Sequence, residues 1–391
     1  MSAPPQSAPP PLHVRGIVLG PSGFAAQGRE WLALFEALGL KPSLHGARLG
    51  SIDGGESLAE QELIARCAAR RQQPGGITVQ HVLPPHFAPD PNAIADVVIT
   101  VFETTSLPAG WGPHLNRADA VVVPAPPIAN AFVRGGVAAH RVHAIAPPIN
   151  MAAFAAAAQT WTGQPWDGLP PRRPGVRRLL SVIDWSLRKG MDVLLPAFAH
   201  AFEADEAELI LKVAPHANLD RAALQQHCQD IVQQHSRSTA PTVHVLDPLL
   251  TATDLPAIYA GCDVLVLPSR GEGWGRPVHE AMLMAMPVVA TQAGALATLL
   301  PDTHTGYPVA TSTAPVSEAA AAETPAFTGQ CWWEPDPDDL VHQLQCAVRN
   351  PVEARNRGLR AQAHVRKLCD HSSIATAFCH LLDGISAELI R

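Results

Sequence analysis

The strongest constraint on the fold of this chain is a repeated alternation between short apolar runs and segments with helical periodicity. The run HVRGIVLG at residues 13–20 is followed by a turn and by GREWLALFEALGL, whose apolar residues recur at helical spacing up to Gly39. Units of this kind continue as far as HRVHAIA at residues 140–146. Because short β-rich runs separated by helices are joined by right-handed crossovers, the pattern predicts a doubly wound parallel sheet of the α/β class.

The alternation is interrupted once, by residues 154–176, which are rich in Pro, Gly and Trp, and it starts again with RRLLSVI at residues 177–183. A chain of 391 residues is also longer than one ordinary core requires, so we predict two domains rather than one large barrel. Residues 311–328, rich in Ala, Thr, Ser and Pro, are predicted to form an exposed loop. The predicted boundaries are a disordered tail at 1–11, an N-terminal Rossmann-like domain at 12–160, a linker at 161–176, a C-terminal Rossmann-like domain at 177–368 and a final helix at 369–391.

Overall charge and the spacing of cysteine and histidine argue against several classes of function. The net charge is −7, so the chain lacks the basic field that draws a protein to nucleic acid. The 7 cysteines include no C-x-x-C pair and the 18 histidines no H-x-x-x-H pair, which argues against a metal site and a disulfide framework. Because the chain has no long apolar run and no signal-like N-terminus, we expect a soluble cytoplasmic protein.

The stretch GEGWGRPVHEAMLMAM at residues 271–286 places Glu272 and Glu280 on either side of a predicted helix start. It follows the predicted strand CDVLVLPS, and parallel sheets bind ligands in the loops beyond the carboxyl ends of their strands. Its glycines allow a ligand close to the backbone, and the free N–H groups of the first helical turn favour a phosphate. Since carboxylates accept hydrogen bonds from vicinal hydroxyls, the pair suits a nucleotide sugar, which carries hydroxyl clusters on both sides of a diphosphate.

The wider string PSRGEGWGRPVHEAMLMAMPVVAT at residues 268–291 resembles the E-x7-E segment of the retaining glycosyltransferases of the GT-B fold, family 4, the glycosyl transferases group 1. Three more segments resemble the family in the same order along the chain, at residues 100–126, 143–154 and 177–198. The resemblance implies two Rossmann-like, doubly wound parallel-sheet domains that face a central cleft. It also implies that the C-terminal helix crosses back to the N-terminal domain.

The resemblance assigns roles to two acids and two cations. Glu280 would hold the ribose hydroxyls of the donor nucleotide, and Glu272 would bind hydroxyls of the transferred sugar. Lys189, with Arg188 beside it, falls where family members place a cation on the diphosphate. A fixed cation there stabilises the negative charge that grows on the leaving group in the transition state. Glu272, Lys189 and Arg188 are therefore candidate catalytic residues.

The resemblance also assigns two loops to the donor. The loop before the predicted helix would lie beside the diphosphate or the sugar. A second glycine loop, at residues 20–24 after the first strand, would close over the diphosphate and the acceptor. The donor-binding candidates in these loops are Gly273, Trp274, Gly275 and Arg276 in the first and Ser22 and Gly23 in the second.

Glu103 is a further catalytic candidate, at the end of a strand where many family members carry a histidine. The resemblance leaves open whether Glu103 contacts the sugar or the acceptor, or is a structural acid. His81, His86 and His114 lie in neighbouring segments, and one of them could act near the acceptor.

Three positions depart from the family pattern. Ala285 and Ala295 stand where family members often carry glycine, and a left-handed backbone there would cost roughly 1 kcal/mol. Residues 183–185, Ile-Asp-Trp, replace the usual Gly-Arg pair, which leaves Arg188 as the candidate for the second phosphate cation.

The resemblance implies a retaining hexosyltransferase that moves a hexose from a UDP- or GDP-sugar to a glycan, lipid-linked or glycoconjugate acceptor. No metal and no other cofactor are expected. The alternative is a catalytically inactive nucleotide-sugar-binding or partner subunit of the same fold, because the missing histidine at Glu103 could mean lost activity. Phosphorylases and epimerases reproduce the E-x7-E string less closely. Peripheral contact with the inner face of the membrane is left open.

Overall fold

The computed structural model describes residues 10–50, 53–151, 154, 166–214, 220–250 and 255–389. It contains two six-stranded sheets in which every paired strand is parallel, so the predicted pair of doubly wound α/β sheets is confirmed. Most of the predicted tail, residues 1–9, and part of the predicted linker, residues 161–165, lie outside the described residues.

The first sheet has the strand order β2-β1-β3-β4-β5-β6, and the second has the order β12-β11-β10-β7-β8-β9. The strands of the first sheet are β1 Leu12–Leu19, β2 Ser43–Arg48, β3 Gly76–His81, β4 Ala93–Ile99, β5 Ala120–Val123 and β6 Val142–Ala144. Those of the second are β7 Arg177–Ile183, β8 Ala207–Val213, β9 Thr242–Leu246, β10 Val264–Leu267, β11 Val288–Thr291 and β12 Tyr307–Val309.

Helices flank both sheets and join consecutive strands. In the N-terminal domain they are α1 Gly23–Ala37, α2 Leu58–Ala68, α3 Trp111–Leu115 and α4 Pro126–Arg134. In the C-terminal domain they are α5 Met191–Ala201, α6 Arg221–His235, α7 Leu255–Ala260, α8 Arg276–Leu283, α9 Leu296–Leu299, α10 Glu318–Glu323, α11 Pro337–Arg349 and α12 Pro351–Leu368, and the last helix is α13 His371–Leu389.

Local sequence signals explain where several helices begin. The Ser22 hydroxyl caps α1 by accepting a hydrogen bond from the Ala25 amide. Ser57 and Glu60 form a reciprocal capping box at the start of α2. Between the helices, strands such as β5 and β10 are buried along their whole length, as a parallel sheet covered on both faces requires.

The interpretation of residues 311–328 as an exposed loop is wrong. Strand β13 Thr311–Pro315 pairs antiparallel with β14 Cys331–Pro335, and α10 lies between them. The composition resembles a loop, but Ser317 caps α10, and Ala320 and Phe327 bury their side chains. We call residues 311–335 the hairpin insert. Strand β2 was also missed, because most of its side chains are exposed and leave no apolar run.

The predicted return of the C-terminal helix is confirmed. Phe378 of α13 packs against α1 of the N-terminal domain, with its ring 5.3 Å from that of Trp31 and 4.9 Å from that of Phe35. His371 forms a 2.8 Å hydrogen bond to the Ile149 carbonyl, so the chain end ties the two domains together. Within the described ranges, no helix combines the length and the apolar character needed to span a bilayer.

The two alanines that replace family glycines behave differently. Ala285 ends the turn after α8 with φ of 55°, the left-handed backbone expected there. Ala295 is right-handed with φ of −63°, because the preceding Gly294 takes the left-handed conformation instead. The expectation is therefore confirmed for Ala285 and wrong for Ala295.

Candidate active site

The two acids of the E-x7-E segment lie on either side of the start of α8, just beyond the carboxyl end of β10. Gly275 caps the helix with φ of 89°, a left-handed conformation that favours glycine. Pro277 occupies the first turn, where its missing N–H costs nothing. Glu272 is 6% exposed and Glu280 is 3% exposed, so each carboxylate needs partners to remain charged.

Glu272 is paired with the short turn Leu187–Lys189 that follows β7. The Lys189 ammonium donates to a Glu272 carboxylate oxygen at 2.7 Å, and Arg188 donates to the Gly271 carbonyl at 2.7 Å. Arg188 Nη1 also lies 3.8 Å from the Glu272 carboxylate. The structure therefore brings three of the four catalytic candidates together within one cluster.

Asp184 is a member of this cluster that the sequence did not reveal. Its carboxylate lies 3.4 Å from Arg188 Nη2 and 3.5 Å from Lys189 Nζ. Partial desolvation opposes ionisation of this half-exposed carboxylate, but Lys189 and Arg188 outweigh that effect and hold the pKa of Asp184 well below its usual range. The acid that replaces the family's Gly-Arg pair therefore stays charged and holds both cations in place.

Glu280 is held by a different set of partners. The Tyr259 hydroxyl donates to Glu280 Oε2 at 2.7 Å, and Arg276 Nε lies 3.5 Å from Glu280 Oε1. Burial raises the pKa of Glu280 above its usual value, although Arg276 and Tyr259 oppose the shift. Burial and the Glu280 carboxylate raise the pKa of Tyr259 well above normal, so the phenol remains a donor.

Lys212, at the carboxyl end of β8, adds a buried cation to the Glu280 side of the site. It is 8% exposed, and burial lowers its pKa to about 8, while Asp247 and Glu280 act in the opposite direction. Lys212 was not among the predicted site residues, because a single lysine within the apolar run AELILKVA resembles a strand end.

The N-terminal domain closes directly onto the Glu272 loop. A Cβ atom added to Gly271 would lie 2.0 Å from the Glu103 carbonyl oxygen, so no larger residue fits in this arrangement. Gly273 faces the side chain of Val101 in the same way. The Glu103 carboxylate lies 3.8 Å from Arg188 Nη1, which places the fourth catalytic candidate at the edge of the same cluster.

Arg276 links the site to α1. Its guanidinium donates to both carboxylate oxygens of Glu30 at 2.6 and 3.2 Å, an interdomain ion pair that the sequence did not reveal. Gly23, a predicted donor-binding residue, lies against the Arg276 side chain, where an added Cβ would meet Cδ at 3.0 Å. Ser22 lies beside it and caps α1.

Trp274 is buried beneath the loop rather than displayed on its surface. Its indole N–H donates to His279 Nδ1 at 3.0 Å, and the ring is 4% exposed. Burial, with a contribution from the nearby Arg276 charge, lowers the pKa of His279 to about 3, so this imidazole is neutral and can accept the bond. A role for Trp274 in donor binding stays a prediction.

Two of the three candidate histidines, His81 and His114, bond to other groups of the protein, and the third, His86, is exposed. His81 stacks on Phe24 at 4.0 Å between ring centroids and contacts Ile17 and Gln27 through its two nitrogens. Burial lowers the pKa of His81 to about 4, so it is neutral near pH 7. His114 forms a 2.9 Å hydrogen bond to the Phe87 carbonyl.

Across the residues that the structure describes, no three His, Cys, Asp or Glu side chains are grouped closely enough to hold a metal ion. The acids of the site face cations of the protein instead. The expectation that neither a metal nor another cofactor takes part stays a prediction.

Known proteins resemble part of this chain in sequence. Residues 178–325 match the sequence model of the family described as glycosyl transferases group 1. MMP alpha-(1->4)-mannosyltransferase from Mycolicibacterium hassiacum is 27% identical over 209 residues, which cover 52% of this chain and 43% of that protein. D-inositol 3-phosphate glycosyltransferase from Corynebacterium diphtheriae is 30% identical over 197 residues, 49% of this chain and 44% of that protein. The aligned region thus spans less than half the length of either relative.

Solved structures resemble the whole chain. Sucrose-phosphate synthase from Thermosynechococcus elongatus aligns with a TM-score of 0.66 at 18% identity, covering 97% of this chain and 100% of that one. Anabaena HepE in complex with UDP and glucose aligns with a TM-score of 0.62 at 14% identity, covering 96% and 100%. The chain therefore has the two-domain GT-B fold of these structures, and its residues 178–325 match the glycosyl transferases group 1 model.

Proposed function

We propose that this protein is a retaining glycosyltransferase that moves a hexose from a nucleotide sugar to a glycan, lipid-linked or glycoconjugate acceptor. The observation that carries the proposal is the pair of buried acids around the start of α8, one joined to Lys189 and the other to Tyr259. The position of the pair at the carboxyl end of β10, facing the other domain, is where a doubly wound sheet binds its ligand.

The donor would lie along the start of α8, with its ribose at Glu280 and its diphosphate at the free N–H groups of the first turn. Ionised Glu280 has one oxygen occupied by Tyr259 and further acceptor capacity for ribose hydroxyls. The cation Lys212 lies on the same side and favours an anionic ligand. The UDP in the HepE complexes makes UDP the first nucleotide to test, with GDP as the alternative.

The reaction would break the bond between the sugar and the diphosphate and form the bond to the acceptor oxygen on the same face. The acceptor proton would pass to the leaving diphosphate. Lys189 and Arg188 would neutralise that leaving group, and their ion pairs with Glu272 and Asp184 hold them at the carboxyl end of β7. Glu272 would then exchange part of its ion pair with Lys189 for hydroxyls of the sugar.

Glu103 enters this scheme from the opposite domain. Its carboxylate is 3.8 Å from Arg188 Nη1 and about one-quarter exposed, at 24%, so it can reach both the cluster and the cleft. We propose that it contacts the donor sugar or the incoming acceptor. The name of the mannosyltransferase relative supports a hexose as the transferred group.

The test is to incubate the protein with mass-tagged UDP- and GDP-hexoses, measure donor hydrolysis and transfer, and measure nucleotide affinity by calorimetry. Glu280→Ala should weaken nucleotide binding, and Lys189→Ala should lower turnover by roughly 10² to 10³-fold, as for the loss of one group that stabilises developing charge. Lys367→Ala, an exposed lysine on α12, is the matched control and should behave as the wild type.

Three outcomes separate the hypotheses. Hydrolysis or transfer that depends on Lys189 supports the enzyme. Nucleotide-sugar binding without turnover supports the inactive binding subunit. If Glu280→Ala binds every nucleotide as the wild type does, the proposed donor site is wrong. Adding anionic vesicles to the assay would reveal any peripheral membrane contact of the acceptor reaction.

A further inference from the structure

Arg270 is a buried guanidinium just before Gly271 and Glu272, and it is only 5% exposed. It donates to both oxygens of Asp192 at 2.7 and 2.8 Å and to both oxygens of Glu334 at 2.7 and 2.6 Å. Asp192 lies in the first turn of α5, and Glu334 lies in β14 of the hairpin insert. One side chain therefore joins three parts of the domain by two bidentate ion pairs, a geometry that only arginine offers.

The same residue is bonded to the turn that carries the site cations. Arg270 Nη1 donates to the Leu187 carbonyl at 2.5 Å, and the Arg270 amide donates to the Arg188 carbonyl at 2.8 Å. Leu187 is two residues before Lys189, and Arg270 is two residues before Glu272. These bonds therefore set the distance between the two main-chain segments from which the Lys189–Glu272 pair projects.

The hairpin insert anchors this arrangement from the other side. The Trp332 ring lies 5.1 Å from the Arg270 guanidinium, and the Trp333 amide donates to the Arg270 carbonyl at 3.1 Å. Glu323 of α10 accepts a hydrogen bond from the Leu187 amide at 2.9 Å. The insert thus holds both Arg270 and the cation turn, although it belongs to neither parallel sheet.

We propose that Arg270 is a positioning residue, which fixes the Glu272 loop against the Leu187–Lys189 turn, with the hairpin insert as its anchor. The inference deepens the proposed function and rests on it wherever turnover is the readout. Its physical basis is that displacement of a reacting group by about 1 Å can lower the rate by roughly 10²-fold. A lysine at position 270 keeps the charge but cannot engage two carboxylates bidentately, so both segments should loosen.

The first experiment is hydrogen–deuterium exchange on the wild type and on Arg270→Lys. The amides of Leu187, Lys189, Gly190 and Arg270 all donate hydrogen bonds within this arrangement, so their exchange reports it directly. We expect exchange at these amides to rise at least tenfold, with the strands unchanged. Arg349→Lys, which alters an exposed arginine of the same domain, should change none of them.

The second experiment measures turnover and UDP affinity separately. Arg270→Lys should lower kcat by roughly 10²-fold. Affinity for UDP should fall by less than about tenfold, because the ribose contact at Glu280 does not involve Arg270 and only the diphosphate contact with Lys189 is loosened. Glu334→Gln should produce a smaller loss of the same kind. A general loss of structure would instead lower UDP affinity and the melting temperature together.

A fold-preserving variant guards against misfolding as the explanation. Arg270→Met combined with Asp192→Asn and Glu334→Gln removes both acids together with their cation, so no buried charge is left unpaired. This variant should fold, bind UDP and still show fast exchange and low kcat. The proposal is overturned if Arg270→Lys exchanges like the wild type, or if its kcat loss merely follows UDP affinity. If the wild type transfers no sugar, the proposed function fails, and exchange alone still decides the role of Arg270.

Discussion

Tyr259→Phe tests whether the hydroxyl of Tyr259 keeps Glu280 charged. The hydroxyl donates at 2.7 Å to a carboxylate that is 3% exposed, and the tyrosine itself is 1% exposed. A hydrogen bond to a charged group is worth about 1.5–3 kcal/mol, and a neutral one about 0.5–1.5. Tyr259→Phe should therefore lower the free energy of unfolding by about 1–2 kcal/mol more in the wild type than in a Glu280→Gln background. This difference is the coupling energy between Tyr259 and Glu280.

The hydrogen bond between Tyr259 and Glu280 also determines how the stability of the protein depends on pH. The folded pKa of Glu280 is already raised by burial, so ionised Glu280 opposes folding, and this penalty grows as the pH rises through that pKa. Loss of the donor should raise the pKa of Glu280 further, because the Tyr259 hydrogen bond favours the ionised carboxylate. The melting temperatures of Tyr259→Phe and wild type should therefore diverge with rising pH and converge in acid.

The assay is thermal unfolding of the two single variants and the double variant from pH 5 to 8. A change of 1 kcal/mol shifts the melting temperature of a domain of this size by roughly 2–4 °C. Tyr307→Phe is the matched control, because this second buried tyrosine has no hydrogen-bond partner for its hydroxyl in the part of the chain that the structure describes. If Tyr259→Phe lowers the melting temperature equally in the wild type and in Glu280→Gln, the reasoning is refuted.

Two further predictions concern charges around the same site. Glu30→Gln should weaken the interdomain ion pair with Arg276 and increase the radius of gyration measured by small-angle scattering. Glu353→Gln, which alters an exposed ion pair, is the control. Equal radii for Glu30→Gln and the wild type would contradict the hypothesis that this ion pair holds the two domains together. Lys212→Met should stabilise the fold by up to roughly 3 kcal/mol at pH 7, because the folded pKa of Lys212 is about 8 against 10.5 unfolded. The free energy of unfolding of the wild type should rise as the pH increases between these two pKa values. If denaturation of Lys212→Met shows the same rise with pH, Lys212 is not the cause of it.

The fold was predictable because its signals are local. Parallel strands buried on both faces produce mainly apolar runs such as LILKV in β8. Helices are recognised by the periodicity of their apolar residues and by capping residues such as Ser57. The hairpin insert was not predicted because its first strand, β13, consists of Thr, Ser, Ala and Pro and carries no apolar run. Its order depends on Trp332 and Phe327, which reach their partners only in the folded domain.

The site was predictable only where chemistry and spacing coincide in one segment. Glu272 and Glu280 share a loop and a helix start, so their spacing indicated a ligand. Tyr259 lies 21 residues before Glu280, and Glu30 lies 246 residues before Arg276, so no sequence window contains either pair. The first contact exists because the fold brings Tyr259 of α7 against Glu280 of α8, and the second because the N-terminal domain packs against the C-terminal domain.

The contact between Gly271 and the Glu103 carbonyl has a consequence for how the two halves separate. An added methyl group at residue 271 would sit 2.0 Å from that oxygen, well inside the spacing of ordinary non-bonded atoms. A single carbon there would push against the main chain of Glu103 and separate the two domains without removing any charged group of the site. The resting width of the cleft is thus encoded by the absence of one side chain.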